Sequence, residues 1–184
     1  MKPTCLVSDV PLIVVTDIHD APNADLCLSK GQSLATRLSL ADLCDLPNLS
    51  GEALHHRLFQ EDGMTRAMNS LRDIIANQPF LIGLGYSAGG TALWKAVQAG
   101  APLSGLICVS STRLRDEAPL SIPTKVYFGD NDPGRPSESW LATVPTSADL
   151  LPNAAHAFYA ETDHLVRTQV ASEIAATVAL WSAP

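Results

Sequence analysis

What this sequence lacks narrows its function before any motif is considered. Its four cysteines, Cys5, Cys27, Cys44 and Cys108, include no C-x-x-C pair and mostly sit within apolar runs. They read as reduced, buried thiols rather than a disulfide framework or a zinc site. Basic residues are in deficit, with 12 Lys and Arg against 19 Asp and Glu for a net charge of −7, which argues against nucleic acid or an anionic membrane as partner. No apolar run approaches the ~20 residues of a membrane span. The early run at Leu12–Val15 is too short for a signal-peptide core, so a cytoplasmic location is the expectation. Asp9, Asp17 and Asp20 gather near that run, but their spacing matches no metal-ligand motif. Repeats and low-complexity segments are absent too.

What is present is a chain of 184 residues, long enough to bury a core and expected to form one domain over residues 1–184. Its oligomeric state is left open. A β-branched run at 11–17 predicts a first core strand, followed by a loop and then a helix over 23–38 with Asn23 as its N-cap. A weaker strand is expected at 38–43, and a turn-rich stretch at 45–51. Over 63–77, Met64, Ala67, Met68, Leu71, Ile74 and Ile75 recur with helical period. A uniformly apolar run at 80–84 predicts a strand buried on both faces, and 103–109 reads as another buried strand. A strand from Lys125 runs into an acidic turn at Asp130-Asn131-Asp132; a short helix near 137–141 and a short strand near 148–151 follow. The last element, 163–181, aligns Val166, Val170, Ile174, Val178 and Trp181 on one stripe. Such alternation predicts an α/β fold, a mostly parallel sheet with helices on both faces. Ligands bind such sheets beyond the carboxyl ends of the strands, where Asp17, Ser87, Ser110 and Asp132 would lie.

The most informative stretch is Gly85-Tyr86-Ser87-Ala88-Gly89, a G-x-S-x-G. A serine on a sharp strand-to-helix turn needs small residues two before and two after it, because a Cβ there would collide with the neighbouring strand or the opening helix. The following residues, 91–99, are helix formers and stop at Gly100. The N–H of Ala88 would then point at an oxyanion over Ser87, with the positive end of the helix behind it.

The same letters, from Gly83 to Ala88, also fit G-x-G-x-x-G/A, the dinucleotide fingerprint, and Ser110-Ser111-Thr112-Arg113 could hold a 2′-phosphate of NADP. The rest of the chain favours the nucleophile. A serine is activated by a base that a carboxylate orients, and both follow in the order that an α/β-hydrolase topology imposes, Ser, Asp, His. Asp132 is favoured over Asp130, its neighbour on the same turn, and His156 over His164, which falls at the start of the last helix. His55 and His56 read as solvated residues of a polar helix start. His19, Asp17 and Tyr86 are candidate pocket residues, and the Ile18 N–H is the candidate second oxyanion donor. A catalytically silent binding module stays open beside the enzyme, since fold does not fix function.

Four separated pieces, Val15-Thr16-Asp17-Ile18-His19, Gly85-Tyr86-Ser87-Ala88-Gly89-Gly90, Phe128-Gly129-Asp130-Asn131-Asp132 and Ala155-His156-Ala157-Phe158, resemble in order and register the dienelactone hydrolase-like branch of the α/β-hydrolases. The resemblance implies an α/β-hydrolase fold, a Ser87, Asp132 and His156 triad and oxyanion donors at Ile18 and Ala88; the length of the chain leaves no insertion for a lid, so a compact form with no lid domain is expected, and acyl transfer by such a triad requires no metal or organic cofactor. The founding enzymes carry cysteine where this chain has Ser87 and glutamate where it has Asp17, and they bind a substrate carboxylate through arginines, one of them just after the histidine, in the neighbourhood where Ala160 stands. The serine version looks like a general carboxylesterase or thioesterase acting on a small-molecule ester or thioester.

Overall fold

The structure is a computed structural model and describes residues 11–23, 35–78, 82–161 and 165–181. Strand β1 (Leu12–Val15) is a β-branched run with all four residues buried, and β3 (Ile82–Tyr86) and β4 (Gly105–Val109) are equally enclosed. Continuous apolar strands of this kind are stable only with helices on both faces. Together with β2 (Ala35–Leu38), β5 (Thr124–Gly129) and β6 (Ser147–Leu151) they form one sheet in the order β2-β1-β3-β4-β5-β6. Every pairing is parallel. The chain runs outward from β1 to β2, then returns past β1 to β3 and continues the other way. Between β1 and β3 the connections leave in opposite directions, which opens a crevice at the carboxyl ends of those two strands.

Side chains alternate across the strands with period two and so divide the core into two layers. Ile13, Val15, Leu106, Cys108, Val126 and Phe128 face α3 (Gly63–Ala76) and α4 (Ala88–Gln98), packing with Leu71, Ile75, Leu93 and Trp94. Leu12, Val14, Leu84, Tyr86, Ile107 and Val109 face the other way, under α6 (Leu165–Trp181). That helix inserts Val170, Ile174 and Val178, each no more than 1% exposed. Its terminal Trp181 lies against Gly105, where a Cβ would come within 2.4 Å of the indole. The side chain of Val166 lies outside the described residues.

Two sequence expectations are corrected between β1 and α3. The helix expected over 23–38 cannot reach its end, because Ala35–Leu38 is strand β2, in register with β1 from Leu12↔Ala35 to Val15↔Leu38. Residues 24–34 lie outside the described residues. As an edge strand β2 exposes Ala35 and Thr36 and only half-buries Arg37 and Leu38, so it carries no apolar alternation to read, and pairing rather than propensity decides its state. The strand expected at 38–43 is instead a single helical turn, α1 (Leu40–Leu43), whose Leu40 N–H donates to Thr16 Oγ1 at 3.2 Å. A further helix, α2 (Gly51–Gln60), buries Leu54 and Leu58, one turn apart.

Candidate active site

Ser87 occupies the turn from β3 into α4 with φ +48° and ψ −116°. Residues other than glycine rarely enter that region, and holding one there costs on the order of 1–3 kcal/mol. The surroundings impose it. The Ser87 N–H donates to the Val109 carbonyl at 2.8 Å, and its carbonyl accepts from the Thr91 N–H at 3.3 Å. A Cβ on Gly85 would sit 2.3 Å from Gly90 Cα, and one on Gly89 would sit 2.3 Å from the Thr16 carbonyl oxygen. The spacing read from the sequence is therefore a steric requirement of the turn.

The other two side chains arrive from loops after β5 and β6. Gly129 lets these loops meet: a Cβ there would lie 2.1 Å from the Ala154 carbonyl oxygen, and that same oxygen accepts from the Asn131 N–H at 3.1 Å. His156 thereby comes over the sheet with Nε2 3.1 Å from Ser87 Oγ and Nδ1 2.6 Å from Asp132 Oδ2. An ionised carboxylate only accepts, so Nδ1 carries the proton and Nε2 is left free to accept from the hydroxyl. Asp132 is 4% exposed, and its other oxygen accepts from the Gly134 N–H at 2.9 Å. Asp130 points into solvent, with its N–H donating to the Leu151 carbonyl. His164 lies outside the described residues.

Ile18 and Ala88 border the same cleft as Ser87, and among the described residues neither N–H has an acceptor. The loop that carries Ile18 is held rigid by Asp17. One oxygen of that carboxylate accepts from the N–H groups of His19 and Ala21 at 2.7 and 2.8 Å, and the other accepts from the Tyr159 hydroxyl at 2.7 Å. Burial, with the Asp17 carboxylate next, pushes the Tyr159 phenol well above its ordinary range, although the Ser87 hydroxyl pulls it down slightly. The Tyr159 ring also meets His156 edge-on at 6.4 Å and Tyr86 at 5.2 Å. One buried phenol thus touches the loop that carries Ile18, the His156 ring and strand β3.

The cleft around Ser87 encloses about 440 Å³ between Ile18, Ala88, His156 and a wall of His55, Phe59, Thr112, Arg113 and Arg115. Of the residues read from the sequence as pocket candidates, Asp17 is buried against Tyr159, Tyr86 is fully enclosed in the layer beneath α6, and His19 is exposed beside Gly51. None of the three borders this cleft. His55, read as solvated, does border it, and burial and then the nearby Arg113 charge lower its pKa. The wall was not legible because it joins α2 to a turn 50 residues later, Thr112–Asp116, with no local spacing to betray the contact. Tyr159 had a faint signal, three residues beyond the candidate base.

The glycines of the dinucleotide pattern, Gly83 and Gly85, stand inside β3, and a Cβ on Gly83 would meet Leu103 at 2.9 Å. Their backbone is covered, so no open loop is there for a pyrophosphate to approach. Among the described residues no cluster of three or more His, Cys, Asp or Glu could hold a metal ion, and no helix is long and apolar enough to cross a membrane. Cys44 and Cys108 are buried free thiols; burial pushes Cys44 up to about 11. Cys5 and Cys27 lie outside the described residues.

No protein-family model matches the chain, and no curated protein sequence does. Solved structures do. A dienelactone hydrolase-like promiscuous phosphotriesterase from metagenomic libraries superposes with a TM-score of 0.70 at 16% identity, covering 95% of this chain and 88% of that one. Est1E from Butyrivibrio proteoclasticus, with ferulic acid bound, gives 0.64 at 14% identity over 93% and 89%. Alpha/beta hydrolase domain-containing protein 10 from mouse gives 0.60 at 12% identity over 94% and 90%. With its all-parallel six-stranded sheet and this coverage, the chain has a compact α/β-hydrolase fold.

Proposed function

We propose that this protein is a serine hydrolase that cleaves carboxylic esters or thioesters of small molecules through an acyl-enzyme. The observation that carries the reading is the continuous chain from Ser87 Oγ to His156 Nε2 at 3.1 Å and from Nδ1 to Asp132 at 2.6 Å, at the mouth of a cleft with two unspent N–H donors. Esterases and a phosphotriesterase among its structural neighbours support it by analogy of fold.

Ser87 Oγ attacks the carbonyl carbon as its proton passes to His156 Nε2, and Asp132 stabilises the imidazolium. The N–H groups of Ile18 and Ala88 hold the oxyanion. Collapse breaks the bond to the alcohol or thiol, which leaves with the proton from His156. Water, deprotonated by the same imidazole, then adds to the acyl-serine and releases the acid. No metal or organic cofactor enters this cycle. The test is labelling by a fluorophosphonate probe together with hydrolysis of short p-nitrophenyl esters. Both are expected in the wild type and lost in Ser87→Ala; a wild type that neither labels nor hydrolyses would leave a silent binding module instead.

A further inference from the structure

The wall of the Ser87 cleft has a charge that the protein as a whole does not. Against a net charge of −7, the cleft is bordered by Arg113 and Arg115 and, among the described residues, by no carboxylate. Elsewhere Arg37, Arg57, Arg66, Lys95 and Lys125 each lie within 4.0 Å of an Asp or Glu oxygen, while Arg72 and Arg135 have no such contact among the described residues but do not border the cleft. Among the described residues Arg113 and Arg115 have no such partner. Arg113 is nonetheless held. Its guanidinium lies over the Phe59 ring, 4.7 Å from the centroid, and one nitrogen donates to His55 Nε2 at 3.2 Å. Because guanidinium only donates, His55 must be the neutral acceptor, and its lowered pKa keeps it so. The backbone beneath is fixed by Leu114, fully buried between the two arginines. A ring face and a single acceptor occupy one side of the fork and leave the remaining N–H groups for two oxygens of an anion.

We propose that this wall is an anion-binding subsite centred on Arg113, so that the ester or thioester cleaved at Ser87 carries a carboxylate or phosphate; the proposal rests on the hydrolase reading above. The arginines sit in the turn after β4, a different element from the one that carries Ala160, so the subsite belongs to this chain's own wall.

The experiment compares matched substrates: p-nitrophenyl hexanoate with mono-p-nitrophenyl adipate, and phenyl acetate with para-acetoxybenzoate and para-acetoxyphenyl phosphate. The wild type is expected to favour at least one anionic partner by about tenfold or more in kcat/KM, the scale of one hydrogen bond to a charged group. Whether the benzoate or the phosphate gains more separates the two anions. Arg113→Gln should bring that ratio to about one, whereas Arg72→Gln, which removes an equal charge from α3, should keep it. A wild-type ratio of one or less in every pair, or an unchanged ratio in Arg113→Gln, overturns the subsite while fluorophosphonate labelling of Ser87 persists. If no ester is cleaved and no label is taken up, the hydrolase reading falls and the subsite falls with it.

Discussion

Two clefts flank the loop that carries Ile18, and they are nearly the same size. One, about 440 Å³, opens over Ser87; the other, about 400 Å³, lies toward β2 between Asp17, Asp20, Arg37, Asp42 and the 47–50 turn. Volume does not tell them apart. In the second cleft the arginine is already spent: Arg37 pairs with Asp20 at 3.1 Å and donates to the Asp20 and Pro22 carbonyls at 2.6 and 3.2 Å. In the first, two backbone N–H groups lack acceptors and two arginines lack carboxylates. A cleft built for its own stability closes its hydrogen bonds, and one left with unspent donors is arranged for something that arrives from outside.

That contrast can be broken in order of expected effect. Asp132→Asn keeps the shape of the triad but favours the wrong imidazole tautomer, so kcat on a p-nitrophenyl ester should fall by about 10⁴-fold with little change in the thermal midpoint. Gly89→Ala drives a Cβ to 2.3 Å from the Thr16 carbonyl. The crevice between β1 and α4 must widen, at a cost of roughly 1–3 kcal/mol of stability, read by urea denaturation, together with loss of fluorophosphonate labelling. Tyr159→Phe leaves a buried Asp17 oxygen without its 2.7 Å donor, which should cost about 1–3 kcal/mol. If the phenol aligns Ile18 with the serine, kcat falls several-fold with KM unchanged; an unaltered kcat would reduce Tyr159 to a structural strut. Arg37→Gln removes a half-exposed ion pair worth less than ~1 kcal/mol, and kcat/KM should stay within about twofold. A large loss of activity in that last variant would move the functional centre to the second cleft.

A small pH effect sharpens the same comparison. His55 has a lowered pKa in the cleft wall, so the unfolded chain binds its proton more readily than the native one. Its favourable contribution is present above the unfolded value, about 6.5, and is lost as the pH falls through that range. Thermal midpoints of the wild type should therefore drop more on acidification than those of His55→Gln.

The site was legible where chemistry is local. Gly85, Ser87 and Gly89 announce a strained turn because their spacing is written within five residues, although Gly89 is held small by the Thr16 carbonyl of the loop after β1, and His156 and Asp132 were chosen by chain order in a parallel sheet. Less was legible where contacts are distant. Edge strand β2 has no apolar alternation, Tyr159 meets Asp17 across 142 positions, and Arg113 meets Phe59 and His55 from another layer of the fold.

By itself, then, the sequence determined the alternation of buried strands and amphipathic helices and the position of the strained serine, since periodicity and backbone sterics are properties of short segments. Tertiary structure alone decided that Tyr86 and Asp17 turn inward, that His55, Phe59 and Arg113 line the cleft, and which of two similar clefts keeps its arginines without a carboxylate. Those outcomes depend on which distant groups satisfy each other's hydrogen bonds and charges, and no local pattern encodes that pairing.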